Sequence, residues 1–229
     1  IKLMPIKRII RGLSEFQNNY FASHQDLFAS LSRSQSPEIL FVTCCDSRID
    51  PGLLTQTRPG ELFIIRNLGN IIPAHGNTSS SEGAAIEYSV KSLKVQHIIV
   101  CGHSDCGSMK AMLKLQQLSS ELPLVNDWLK YHAESTRLLL AENYPEYTGE
   151  ELLRLAIEEN VLAQVENLTT YPAVRSKLRA GKIFIHAWVY EIETGKIFAF
   201  NAQDGKFILI EAEGFPLPNL FSQVRTPVE

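Results

Sequence analysis

The sequence predicts an α/β fold: a mostly parallel central sheet with helices on both faces, and a long N-terminal helix that packs on a partner subunit. Three observations carry this reading. Short apolar runs alternate with segments of helical period, joined by short links, which implies right-handed crossovers and a parallel sheet. The first thirty residues repeat their apolar positions at threes and fours. The chain has 229 residues, 45% of them hydrophobic, with no internal repeat and no low-complexity linker, so one domain with one large core is expected.

The elements follow in order. Ile6, Ile9, Ile10, Leu13, Phe16, Tyr20, Leu27, Phe28 and Leu31 form the stripe of an amphipathic helix, making 1–34 a helical arm. After the polar break SRSQSP, Ile39-Leu40-Phe41-Val42 is short and partly β-branched, a buried strand ending near Cys44. ELFIIRN (61–67) is a second strand. Ser79 stands three residues before Glu82, a capping box that starts a helix running to about Leu93. VQHIIVCG (95–102) is a third strand, and SDCGSMKAML opens another helix. Leu124 to Arg179 is helical by period, with breaks at Pro145 and Pro172. KIFIHAWVYEIETGKIFAFN (182–201) reads as strand, turn, strand, with the turn at Glu193-Thr194-Gly195. Residues 201–229 form a C-terminal extension. Past Glu211 it carries Pro216, Pro218 and Pro227 and reads as irregular.

Charge and composition narrow the function. A formal charge of −3 and a pI near 6.1 lack the basic footprint that phosphate neutralisation requires, so neither nucleic acid nor an acidic membrane surface is an expected partner. The sequence holds no run of 18 apolar residues, and IKLMPIKRII lacks the apolar core and cleavage site of a secretory signal; the expected location is cytoplasmic, with Met4 a candidate native start. The four cysteines (44, 45, 101, 106) fall in two tight groups, a layout suited to thiolates converging on a metal in a reducing compartment.

In FVTCCDSRID (41–50), a strand period of two sends Cys44, Asp46 and Arg48 one way and Cys45 the other. Cys44 is then the functional thiol, and Cys45, like Cys101, a small core residue. Cys44 and the CGHSDCG group both sit at carboxyl ends of strands, where open α/β sheets place their sites. Cys106 is expected at a helix start, where unpaired N–H groups favour a thiolate. Two sulfurs and the His103 nitrogen form a soft set suited to tetrahedral zinc, and three protein ligands leave one position open, as in catalytic sites. Asp46 can accept a hydrogen bond from water or hydroxide on the metal, and Arg48 can grip Asp46 with paired donors. His24, His75, His97, His132 and His186 lack comparable partners and are expected as surface or satisfied core residues.

Cys44-Cys45-Asp46-Ser47-Arg48 followed by His103-x-x-Cys106 in a G-H-S-x-C-G setting resembles the β-class carbonic anhydrases. The similarity continues through PGELFIIRNLGN (59–70), EGAAIEY (82–88), LTTYPAVRSKLRAG (168–181) and IHAWVYEIETG (185–195), and spans Gly12 to Phe200. LPLVNDWLK (122–130) and the overall layout look most like cyanobacterial members, including those of the carboxysome.

The resemblance implies a zinc enzyme that hydrates carbon dioxide to bicarbonate and a proton, with one Zn²⁺ per chain on Cys44, His103 and Cys106. Asp46 and Arg48 match the dyad that orients the hydroxide on zinc. Gln35 matches a residue that donates to bicarbonate across a dimer interface. Phe63, Leu68 and Tyr88 match an apolar wall around carbon dioxide, and Gly107 a glycine whose N–H faces it. A homodimer or higher homo-oligomer is implied, with a carboxysome scaffold protein as a partner and the carboxysome as a narrower location. Arg66 and Tyr190 match two members of a regulatory bicarbonate trio, but Phe41 stands where its tryptophan would be. Asp46 is therefore expected on Arg48 rather than on zinc. Two rivals stay open: a carbon disulfide or carbonyl sulfide hydrolase on the same site, and an inactive zinc-stapled scaffold-binding protein.

Overall fold

The computed structural model describes residues 5–76, 79–211 and 220. Met4 and most of the proline-containing tail lie outside the described residues. The backbone divides into two compact units, Ile1–Ser36 and Pro37–Glu229.

In the first unit the expected continuous helix is two: α1 (Pro5–Glu15) and α2 (Gln25–Leu31), joined through a π-helical stretch at Phe16–Phe21. The interruption has a local cause. Ser23 Oγ donates to the Asn19 carbonyl and His24 Nδ1 lies 2.8 Å from the Tyr20 carbonyl, so side chains compete for the backbone acceptors that would continue the helix. Ile6, Ile9, Ile10 and Leu13 form an exposed apolar stripe on α1.

The second unit holds a six-stranded sheet in the order β2-β1-β3-β4-β5-β6. Its strands are β1 (Ile39–Cys44), β2 (Leu62–Asn67), β3 (His97–His103), β4 (Phe184–Glu191), β5 (Lys196–Asn201) and β6 (Lys206–Leu209). The first four run parallel, and β5 and β6 add antiparallel to the edge. Strand β1 is buried from Leu40 to Cys44, as a continuous apolar run covered on both faces should be. Its side chains still alternate: Leu40, Val42 and Cys44 join the main core, whereas Phe41 packs with Ile99 and Cys101 on the opposite face.

Helices α3 (Pro51–Thr55), α4 (Ser81–Tyr88), α5 (Gly107–Met112), α6 (Leu115–Leu118), α7 (Pro123–His132), α8 (Glu134–Asn143), α9 (Gly149–Thr170) and α10 (Pro172–Arg179) complete the unit. The cap of α4 is Ser80, whose Oγ accepts from Gly83 N–H at 3.0 Å, and not Ser79; a π-helical turn then carries the chain to Leu93. Helices α3 and α6 and strand β6 were not expected. Each has seven residues or fewer, too short to print a period on the sequence.

Helix α9 packs on β3 and β4, and its close approach depends on Gly102. A Cβ there would meet Val161 Cγ2 at 2.7 Å and Ile157 Cγ2 at 3.2 Å. Two buried polar residues of α9, one helical turn apart, also tie down the loop after β2. Asn160 Nδ2 donates to the Gly69 carbonyl at 2.9 Å, and Gln164 Oε1 accepts from Ile72 N–H at 2.7 Å. Among the described residues, no helix is long and apolar enough to cross a membrane.

Candidate metal centre

Cys44 ends β1 and His103 ends β3, adjacent parallel strands that deliver both residues to the same carboxyl end of the sheet. The chain then turns through Ser104 and Asp105, and Cys106 occupies the N-cap position of α5. The ligand-capable atoms of Cys44, His103 and Cys106 all lie within 4.8 Å of one another, and all three residues are buried. They are the one cluster of three or more metal-capable side chains among the described residues.

The donor set fits a metal by its chemistry. His103 Nδ1 lies 2.9 Å from the Ser104 carbonyl, which fixes the proton on that nitrogen and leaves the Nε2 lone pair facing the sulfurs. Nε2 is buried and has no hydrogen-bond partner, a costly state for a polar atom unless a cation occupies it. The two thiols are pulled apart in acidity. Cys44 is lowered, chiefly because Cys106 donates a hydrogen bond to its sulfur and despite burial, while Cys106 is raised by that donation and by burial. A divalent cation would allow both to be thiolates at once. Gly69 N–H also points at Cys44 Sγ, at 3.5 Å, so the loop held by Asn160 and Gln164 supports a ligand.

Asp46 and Arg48 meet as expected, by a different route. Strand β1 ends at Cys44 and the chain turns at Ser47 and Arg48, so strand period does not align Asp46 with Arg48. The chain turns instead, with Ile49 N–H bonding to the Asp46 carbonyl and Arg48 N–H to Asp46 Oδ1 at 2.9 Å, a local motif in which a short acid satisfies backbone two residues on. Arg48 then folds back, placing Nε 2.9 Å from Oδ1 and Nη2 2.8 Å from Oδ2. This grip holds the Asp46 carboxyl well below the usual carboxylate range. Asp46 Oδ2 lies 3.9 Å from His103 Nε2, close enough to face whatever His103 binds.

Of the substrate-pocket residues, Phe63 and Tyr88 come together with ring centroids 6.0 Å apart, and Tyr88 is half exposed. Leu68 precedes the Gly69 that bonds Cys44, and its carbonyl accepts from Trp128 Nε1 at 2.9 Å. Gly107 is exposed, with open space beside its Cα. Gln35 is exposed and belongs to the first unit. Arg66 donates to the Cys44 and Asp46 carbonyls at 3.2 and 2.7 Å, bracing the turn. Phe41 is fully buried, edge-on to Trp188.

One expectation fails: Cys45 is exposed and not in the core; its N–H still donates to the Asn67 carbonyl of β2 at 2.8 Å, but its side chain lies past the end of β1, where the core no longer covers it. Cys101 is fully buried as expected, its thiol pushed up to about 12 by burial. His97 and His186 pair with each other at 3.0 Å, which satisfies both. Sequence reasoning missed Asn160, Gln164 and Asp105. The first two had a signal, two amides four residues apart inside an otherwise apolar helix face.

The chain has clear relatives. The family model described as "Carbonic anhydrase" matches residues 39–197. A carbonic anhydrase of Synechocystis sp. is 52% identical over 196 residues, covering 86% of this chain and 71% of its own length. The solved structure of the β-carbonic anhydrase CcaA superposes with a TM-score of 0.88 at 48% identity, covering 91% of this chain and 93% of its own. One of two tetrameric β-carbonic anhydrases from Sordaria macrospora gives 0.74 at 28% identity, covering 86% and 96%.

Proposed function

This chain belongs to the β-class carbonic anhydrases and is an enzyme of that family; from that premise we propose that it catalyses the reversible hydration of carbon dioxide at a zinc ion held by Cys44, His103 and Cys106. The observation that carries the reading is the convergence of two buried sulfurs and an unpartnered imidazole nitrogen beside a carboxylate already engaged by an arginine. Bound there, zinc would supply a Lewis acid that brings the ionisation of water towards neutral pH.

The protein's residues do the rest. Asp46, kept ionised by Arg48, can only accept, so it orients the attacking water by taking its hydrogen bond and aims a lone pair outward. Water oxygen bonds to the carbon of carbon dioxide, one carbon–oxygen π pair moves onto oxygen, and the proton passes to buffer. Phe63, Leu68 and Tyr88 present an apolar wall suited to an uncharged linear substrate. The Gly107 N–H, at the exposed start of α5, faces the substrate, and Gln35 steadies bicarbonate from across a dimer interface.

The tetrameric relatives support a homo-oligomer, and the exposed stripe of α1 is the surface we assign to a partner subunit. Likeness to cyanobacterial enzymes supports a cytoplasmic location, with carboxysome residence and scaffold binding as the narrower form.

Stopped-flow hydration of carbon dioxide across pH, with metal content measured on the same preparation, tests the reading. A rate well above the blank supports it. A blank rate at full zinc occupancy, or sulfide release from carbon disulfide that outpaces hydration, contradicts it.

A further inference from the structure

We propose that Asp105 is a positioning residue for the reaction: it holds the outer edge of the Arg48 guanidinium, so that Arg48 stays available to keep Asp46 turned away from the metal ligands. The inference rests on the roles given to Asp46 and Arg48 above.

Arg48 is held from two sides. Its Nε and Nη2 serve Asp46, while Nη1 donates to Asp105 Oδ2 at 2.9 Å and Nη2 also reaches the Asp105 carbonyl at 3.2 Å. The other oxygen of Asp105 is taken by Lys110 of α5. One arginine thus joins the turn after β1 to the turn after β3, the two segments that carry the metal ligands.

The backbone at Asp105 shows that this placement is over-determined. Its φ of +60° is a left-handed conformation in which aspartate is one of the few tolerated side chains, and such residues persist where surrounding contacts fix them. Here the fixing contacts are made by the residue before it: Ser104 N–H donates to the Tyr190 carbonyl at 2.8 Å, and Ser104 Oγ accepts from Ile192 N–H at 3.0 Å. Ser104 is thus stitched to the end of β4 and the residue after it, which fixes the backbone from which Asp105 reaches Arg48. Without that anchor, Arg48 is a long side chain about 43% exposed, bound at one edge and able to swing into solvent. Asp46 Oδ2, 3.9 Å from His103 Nε2, would then be free to move towards the ligand cluster.

The rival account is an incidental surface ion pair, since such pairs contribute little to stability. Stability cannot separate the two, so the readouts are kinetic and spectroscopic. Asp105→Asn keeps an acceptor and tolerates left-handed backbone; Asp105→Gly keeps the backbone but no acceptor; Asp105→Ala loses both. Each is loaded with zinc for carbon dioxide hydration and with cobalt for visible absorption, titrated with thiocyanate as a probe of an open coordination position.

For the Gly and Ala variants we expect kcat to fall about 3- to 10-fold, the worth of one charge-assisted hydrogen bond, with KM little changed and the thiocyanate response weakened similarly. Asp105→Asn should keep most of both. Gly and Ala variants that match wild type in both readouts overturn the proposal, as does a normal Gly variant beside an impaired Ala variant, which would assign the effect to backbone. If the wild type lacks hydration activity, the proposed function fails, and the cobalt titration still decides the role of Asp105.

Discussion

Substituting Gly102 by alanine tests how the sheet positions the metal ligands, because the residue after it is His103. The added Cβ would sit 2.7 Å from Val161 Cγ2 and 3.2 Å from Ile157 Cγ2, where ordinary contact begins at 3.4 Å. Helix α9 or β3 must then give by about 0.7 Å, and Val161 cannot turn away, since a β-branched side chain in a helix has one favoured rotamer. Overpacking of this size in a filled core costs about 1–3 kcal/mol. Urea unfolding of Gly102→Ala against wild type measures it, and metal analysis after dialysis reads the displaced His103 as weaker retention. Combining it with Val161→Ala should recover part of the loss, with a coupling of about 1 kcal/mol or more. A Gly102→Ala protein within about 0.5 kcal/mol of wild type, with no coupling to Val161→Ala, would refute the claim that this glycine sets the helix-to-sheet distance.

Three further outcomes are expected. Asp46→Asn should lower kcat/KM about 10- to 100-fold while leaving metal content intact, since the amide can donate as well as accept at the attacking water; full activity would remove Asp46 from its role. His186, whose pKa burial and the facing His97 lower to about 4, should make stability pH-dependent. The unfolded state takes up a proton near its ordinary value and the native state only below it, so stability falls between about pH 6.5 and 4 by up to ~3 kcal/mol, and His186→Phe should flatten that slope in urea melts. Of the four cysteines, exposed Cys45 should react with a thiol reagent in the native zinc protein, with buried Cys101 protected; labelling that survives Cys45→Ser would contradict this.

The legible parts of the sequence were those governed by period and by ligand spacing. β1 to β5 announced themselves because buried strands are dense in Ile, Val and Phe. The metal ligands stood out because cysteine and histidine clustered at strand ends. What stayed hidden depended on contacts distant in the chain. Asp105 occupies the variable position of G-H-S-x-C-G, and only the fold shows that it reaches Arg48, 57 residues away in sequence. Asn160 and Gln164 stand out as two amides four residues apart in a helix, but their task shows only when the loop at 67–72 is seen to lie on them. Cys45 was misplaced because the alternation of a strand was taken to imply a covered side chain one residue beyond its end, where the side chain is exposed.

The central claim is a catalytic zinc on Cys44, His103 and Cys106, and its most direct test is a zinc titration of the metal-free protein followed by the carbon dioxide hydration rate. The account predicts a linear rise that breaks at one zinc per chain, and no rise in Cys44→Ser or His103→Ala proteins that remain folded by circular dichroism. Activity independent of added zinc, or an undiminished rise in either variant, would contradict it.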